Sequence, residues 1–172
     1  MKFLLTAVNA KYIHSNPAIY SLRAYSVQKD SELEKNIELA EYTINQPFQD
    51  ILADIYRRKP DCIAFSCYIW NWEIIRDIVR ELAKILPDVP VWLGGPEVSY
   101  DPVRLLEQFP QVTGIMKGEG EETFAVLAGA LAAREAGPGT DLEDAEGITW
   151  RDSRGQIRDN PWRQPLDLDQ IP

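Results

Sequence analysis

Up to residue 136 the chain repeats one pattern: a short apolar run, a break rich in Asn, Gly or Pro, then residues at helical spacing. Phe3 to Val8 shows no alternation, which predicts a strand covered on both faces. It stops at Asn9-Ala10-Lys11-Tyr12-Ile13-His14-Ser15-Asn16. Asn16 before Pro17 reads as a helix N-cap with proline at the first helical position, and Ile19, Leu22, Tyr25 and Ser26 continue that helix. Asn36 to Asn45 predicts a second strand, with its glutamates alternating outwards near the sheet's edge. Pro47 then opens a helix striped by Phe48, Ile51, Leu52, Ile55 and Tyr56; Arg57, Arg58 and Lys59 suit its dipole, and Pro60 ends it. A strand from Cys62 to Cys67 breaks at Tyr68-Ile69-Trp70-Asn71-Trp72. The rest reads as helix Glu73 to Leu86, strand Val91 to Leu93, a short helix from Pro102 to Gln108, strand Gly114 to Lys117 and helix Glu121 to Glu135.

Strands alternating with helices of this length indicate a parallel sheet with right-handed crossovers. The expected class is α/β, a flavodoxin-like (Rossmann-like) five-stranded parallel sheet in the order 2-1-3-4-5 with a C-terminal β-hairpin extension. After Ala136 the composition changes to G-P-G-T-D-L-E-D, which reads as a mobile loop. Glu146 onwards reads as a hairpin turning at Asp152 to Gly155, and the last residues as a linker. The expected division is therefore 1–136 for the α/β domain and 137–172 for loop, hairpin and linker. A two-stranded hairpin is marginal alone, so Ile148, Trp150, Ile157 and Trp162 must dock on the sheet, pair between molecules or stay mobile.

Composition narrows the partners. The 172 residues are 45% hydrophobic and 26% charged, enough for one globular core, and the net charge of -9 argues against nucleic acid, which is held by a cationic surface. No apolar run approaches the roughly 20 residues of a membrane helix, and the start lacks a signal-peptide core, so no membrane partner and a cytoplasmic location are expected. Cys62 and Cys67 bracket one strand, a spacing that suits neither a disulfide nor a metal knuckle; reduced, buried thiols are expected.

In an open parallel sheet, ligands sit outside the carboxyl ends of the strands where strand order reverses. Four of those ends carry unusual residues: Asn9 to Ser15, Ser66 to Asn71, Gly94-Gly95-Pro96-Glu97, and Lys117-Gly118-Glu119-Gly120-Glu121. No glycine precedes Gly94, so the glycine fingerprint of a dinucleotide site after the first strand is missing. A flavodoxin-type phosphate loop is missing there too. A phosphoacceptor receiver would match Lys117 but needs an aspartate where the third strand ends in Ser66-Cys67. Glu119, Glu121 and Glu122 would repel a phosphate and suit a helix N-terminus. Gly118, Gly120 and Gly94-Gly95 mark either tight turns or backbone lying against a flat ligand. Tyr12, Tyr68, Trp70 and Trp72 either wall a planar ligand or pack over the sheet. His14, the only histidine, reads as a surface or capping residue rather than a metal ligand.

N-A-K-Y-I-H-S-N-P-A, G-G-P-E-V, G-E-G-E-E-T-F and G-I-T-W-R-D-S-R-G-Q-I, in this order along nearly the whole chain, resemble the N-terminal cobalamin (B12)-binding domain of radical SAM proteins, a group that includes methyltransferases and an anaerobic magnesium-protoporphyrin ester cyclase. The resemblance implies a corrin over the strand carboxyl ends with its nucleotide tail entering the sheet. By position, Ser66, Gly94 and Gly95 would flank the tail, while Asn9, Tyr12, His14, Tyr68, Gly118, Glu119 and Gly120 would face the corrin; Glu97 completes the fourth-strand motif. The D-x-H-x-x-G motif whose histidine holds cobalt in mutases is absent, so His14 is not expected on the metal. The CxxxCxxC thiolates of a [4Fe–4S] cluster, which would cleave S-adenosylmethionine, are absent as well. L-D-L-D-Q-I-P resembles the linker into the radical SAM barrel, which implies the cofactor-holding part of a longer enzyme, catalytically inert alone. The rival reading is a degenerate cobalamin fold that only orients a barrel or its substrate. A crevice blocked by Tyr68 or Trp70 would favour the rival, an open apolar trough the cofactor.

Overall fold

A computed structural model describes residues 1–12, 14–136, 142–167, 169 and 171–172. Its strands are β1 (Phe3–Asn9), β2 (Ile37–Thr43), β3 (Cys62–Ser66), β4 (Val91–Gly94), β5 (Gly114–Met116), β6 (Ile148–Arg151) and β7 (Ile157–Asp159). The helices are α1 (Pro17–Lys29), α2 (Phe48–Arg58), α3 (Trp72–Ile85), α4 (Pro102–Gln108) and α5 (Glu121–Ala136), with a 3-10 turn at Ser31–Lys35 that the residue pattern does not announce. All form one seven-stranded sheet in the order β2-β1-β3-β4-β5-β6-β7. The first five strands pair in parallel in the flavodoxin-like order expected, and β6 and β7 add to β5 antiparallel.

Local rules account for most boundaries. Asn16 accepts a hydrogen bond from the Ala18 amide at 3.1 Å and Pro17 opens α1. Lys59 closes α2 in a left-handed conformation (φ 49°) before Pro60. The β6–β7 turn closes through Gly155 (φ 77°), whose amide reaches the Asp152 carbonyl at 2.9 Å.

The two faces of the sheet are packed separately. Leu4, Val8, Ile63, Phe65, Leu93 and Ile115 meet Ile51, Ile55, Ile75, Val79 and Leu106 on the face covered by α2, α3 and α4. Phe3, Leu5, Ala64, Trp92, Met116 and Trp150 meet Ile19, Phe124, Leu127 and Leu131 under α1 and α5. The β2 glutamates do not share an outward face. Three residues apart in a strand, Glu38 and Glu41 lie on opposite faces; Glu38 pairs with Lys2 and Arg58, whereas Glu41 turns to the α1 side.

Of the three fates open to the hairpin, the structure shows docking. Met116 pairs with Ile148 and Gly114 with Trp150, burying Ile148 and Trp150 in the α1/α5 core. Lys117, its side chain buried, donates to Asp159 at 2.7 Å and to the Asn160 carbonyl at 2.6 Å. Asn160 in turn donates to the carbonyls of Leu142 and Ala145, so Leu142 is buried rather than part of a loose tail. Of the expected mobile loop, 137–144, residues 137–141 lie outside the described residues.

Candidate functional site

The site starts from one cross-strand row. On the α1/α5 face, in the last row toward the carboxyl edge that crosses from β2 to β6, the register places Glu41, Ala7, Ser66, Gly94, Met116 and Ile148 side by side. One row deeper stand Leu5, Ala64, Trp92, Gly114 and Trp150. Two indoles fill the deeper row, while small residues leave the upper one hollow. A cavity of about 220 Å³ results, floored by Leu5, Ala64, Gly94 and Met116, bordered by Ile19 and Leu22 of α1, and walled by Gly118, Glu119, Gly120 and Glu121.

A second, more open hollow of about 320 Å³ lies beside it over β1, lined by Asn9, Lys11, His14, Asn16, Tyr68 and Trp70. Tyr68 borders both hollows and stacks on Trp70 with ring centroids 4.4 Å apart and planes within 8°. That stack stands at the rim and leaves the deeper cavity open, the arrangement expected of a cofactor trough. Near the Gly118 wall the exposed Tyr100 and half-exposed Trp162 rings lie 6.1 Å apart, and a Cβ on Gly118 would come within 3.4 Å of the Trp162 ring.

The expected residues divide between the two hollows and the surface. Ser66, Tyr68, Gly94, Gly95, Gly118, Glu119 and Gly120 all line the deeper cavity. Asn9 and His14 line only the outer hollow, and the Asn9 side chain is buried and donates to Glu41 at 2.9 Å. Among the described residues, neither Tyr12 nor Glu97 lines either hollow; both are exposed.

The two neighbouring glycines have different reasons. A Cβ on Gly94 would meet nothing closer than the Met116 side chain at 3.5 Å, so its bare backbone leaves room in the cavity. Gly95 has φ +102°, and a Cβ there would lie 2.5 Å from the Cys67 carbonyl oxygen. Backbone against backbone, not a ligand, demands the second glycine. Gly118 (φ +68°) turns the chain out of β5.

Three polar residues that the sequence pattern did not single out hold these loops. Asn71 is fully buried; it donates to the carbonyls of Val8 and Ser66 at 3.0 Å each and accepts from the Tyr68 amide at 2.8 Å. It thus ties β1 to β3 where strand order reverses, and its position before a helix was the one available signal. Ser99 donates to the Gly95 carbonyl at 2.8 Å and accepts from the Gly118 amide at 3.2 Å, joining the β4 and β5 loops. Glu41 accepts from Asn9, the Asn16 amide and Tyr20. The glutamates at the start of α5 and in the loop before it act as ties too: Glu121 accepts from Ser21 at 2.8 Å, Glu119 from the Leu166 amide at 2.8 Å, and Glu122 pairs with Arg163 at 3.3 Å.

Neither thiol is chemically prominent. Burial pushes Cys62 up to about 12 and raises Cys67 further, and both are free. Among the described residues no group of three or more His, Cys, Asp or Glu side chains is placed to hold a metal ion, and no helix is long and apolar enough to cross a membrane.

The chain is 36% identical over 69 residues to the cobalamin-dependent radical SAM methyltransferase TokK of Streptomyces tokunonensis, covering 40% of this chain and 10% of that protein. It is 27% identical over 126 residues to an uncharacterized methyltransferase of Pyrococcus horikoshii, covering 73% of this chain and 26% of the other. The fold superposes on the cobalamin-dependent S-adenosylmethionine radical enzyme OxsB, solved with aqua-cobalamin and S-adenosylmethionine, with a TM-score of 0.71 and 18% identity over 98% of this chain and 23% of that one. The chain therefore spans about a quarter or less of these proteins. The B12 binding domain family matches residues 5–128, and the chain belongs to that family.

Proposed function

We propose that this chain holds cobalamin for a radical SAM reaction, a methyl transfer or a cyclisation, whose cluster and S-adenosylmethionine are bound by another domain of the same polypeptide. The supporting observation is the open cavity over Ser66 and Gly94 at the carboxyl edge. Its floor is apolar, and Gly94 withholds a side chain that would enter it, which fits a flat, uncharged ring system such as the base of the cobalamin tail. Ser66, Gly94, Met116 and Gly118 to Gly120 would hold that tail; Tyr68, Trp70 and the backbone near Asn9 would meet the corrin. When bound, cobalamin supplies a cobalt centre able to carry and transfer a methyl group. The residues of this chain bind, orient and exclude water. His14 is exposed at the outer hollow, in a loop lacking the aspartate and glycine of the mutase motif, and in this reading it does not ligate cobalt.

A crevice blocked by Tyr68 or Trp70 would favour the rival reading, a degenerate crevice that only orients a neighbouring domain. The Tyr68–Trp70 stack does not fill it. Incubation with hydroxocobalamin followed by gel filtration should leave the chain coloured, and Gly94→Trp should abolish retention while the far-ultraviolet dichroism stays unchanged. A folded Gly94→Trp protein that retains cobalamin as well as wild type would refute the tail placement. A wild-type chain that emerges colourless would support the rival.

A further inference from the structure

Glu41 belongs to the same cross-strand row as Ala7, Ser66 and Gly94, yet it touches neither hollow. A glutamate on an outer strand ordinarily reaches into water. This one turns inward. Its Oε1 accepts from Asn9 Nδ2 at 2.9 Å and from the Asn16 backbone amide at 2.7 Å, and its Oε2 accepts from the Tyr20 hydroxyl at 2.7 Å. The donors come from the start of the β1–α1 loop, its end, and the first turn of α1.

Asn16 passes the constraint onward. Held by its amide, it caps α1 with Oδ1 and places Nδ2 3.4 Å from the Ser66 hydroxyl at the cavity wall. Asn9 and Asn16 are both buried, so neither amide group has water as a ready substitute. Burial alone would raise the Glu41 pKa, but hydrogen bonds from Tyr20, Asn9 and Asn16 hold it below the usual carboxylate range, as expected of an acceptor serving several donors. We propose that Glu41 is a positioning residue for cobalamin: from β2 its carboxylate fixes both ends of the β1–α1 loop and, through Asn16, the Ser66 hydroxyl.

The inference rests on the cobalamin reading and names a residue that does not touch the cofactor. Glu38, three residues earlier on the opposite face, supplies the control, because its partners Lys2 and Arg58 lead away from both hollows. In Glu41→Ala the dissociation constant for hydroxocobalamin should rise at least about tenfold, the equivalent of about 1.4 kcal/mol. Glu41→Gln keeps an oxygen for Asn9 and Asn16 and should restore affinity to within about threefold of wild type. Glu38→Ala should lower the melting temperature and leave affinity unchanged.

Amide exchange at Asn16 supplies the readout that needs no cofactor. It should accelerate in Glu41→Ala and not in Glu38→Ala. Wild-type affinity and Asn16 protection in a folded Glu41→Ala protein would overturn the proposal. So would a Glu38→Ala protein that loses affinity equally, or a Glu41→Gln protein as weak as Glu41→Ala, since the effect would then belong to stability or to charge. If the wild-type chain binds no hydroxocobalamin, the cofactor reading falls, and unchanged Asn16 exchange in Glu41→Ala would separately overturn the role of Glu41 in holding the loop.

Discussion

Adjacent rows of the sheet, one on each face, show two ways of using the same strands. Facing α2, α3 and α4, the register sets Ala40, Thr6, Phe65, Leu93, Ile115 and Thr149 in line, and its four central members are fully buried, the Thr6 hydroxyl included, which has no hydrogen-bond partner among the described residues. One residue along each strand, facing α1 and α5, the line reads Glu41, Ala7, Ser66, Gly94, Met116 and Ile148, and a cavity opens above Ser66 and Gly94. Both rows are carried by the same backbone hydrogen bonds. The difference lies in side-chain volume, so the trough is a local subtraction from a close-packed core rather than a feature of the fold.

In the next row down, two residues before Gly94 on β4, stands Trp92. Its ring occupies the space a Gly114 side chain would need, since a Cβ at Gly114 would come within 2.4 Å of the indole. Gly114 and Trp92 are thus one packing unit, with Trp150 on the other side of the glycine. Removing the indole should break the contrast between filled and hollow rows most severely. Trp92→Ala is expected to lower unfolding free energy by about 3–5 kcal/mol, the range for deleting a fully buried large aromatic. A denaturant titration checks it, and a loss below about 1 kcal/mol would mean that the α1/α5 face is not packed around this side chain.

A smaller effect separates the glycines that end β4. Gly95→Ala places a Cβ at a positive φ and against the Cys67 carbonyl, so it should destabilise the chain by about 1–3 kcal/mol with or without cofactor. Gly94→Ala meets only an ordinary contact with Met116 and should cost less than about 1 kcal/mol, by the same thermal or denaturant measurement. Equal costs at the two positions would remove the distinction between a glycine kept for a turn and one kept for a cavity.

That distinction was not legible in the sequence. Gly94-Gly95 signalled either a turn or a ligand against bare backbone, and the structure assigns one meaning to each residue. The β-α alternation, the Asn16-Pro17 start of α1, the Pro60 stop and the Asp152 to Gly155 turn were legible, because each depends on residues a few positions apart. Asn71, Ser99, Gly114 and Glu41 were not, because their decisive partners are distant along the chain: Asn71 reaches Val8, Ser99 reaches Gly118, Gly114 faces Trp92 and Trp150, and Glu41 holds Asn9 and Tyr20. The hairpin was legible as a hairpin but not as part of the sheet. Lys117 explains why it docks, and nothing near Lys117 in sequence reveals Asp159.

Lys117 also links the hairpin to the hollow face, since the residues that follow it, Gly118 to Glu121, form one cavity wall. Beyond its bonds to Asp159 and Asn160, its ammonium lies 5.5 Å from the Trp162 ring centroid, and its amide donates to the Gly147 carbonyl at 2.7 Å. Partial burial would raise the Asp159 pKa, but Lys117 and Thr149 hold it below the usual carboxylate range. A carboxylate with a depressed folded-state pKa contributes stability that is complete above its unfolded value, about 3.9, and is lost as pH falls through the folded value. Asp159 is half exposed, so the contribution should be about 1 kcal/mol or less. Asp159→Asn should therefore reduce the melting temperature slightly at neutral pH, while the difference from wild type narrows below the usual carboxylate range. A difference that stays constant on acidification would show that the ion pair contributes nothing and that Asp159 acts on the hairpin through neutral hydrogen bonds alone.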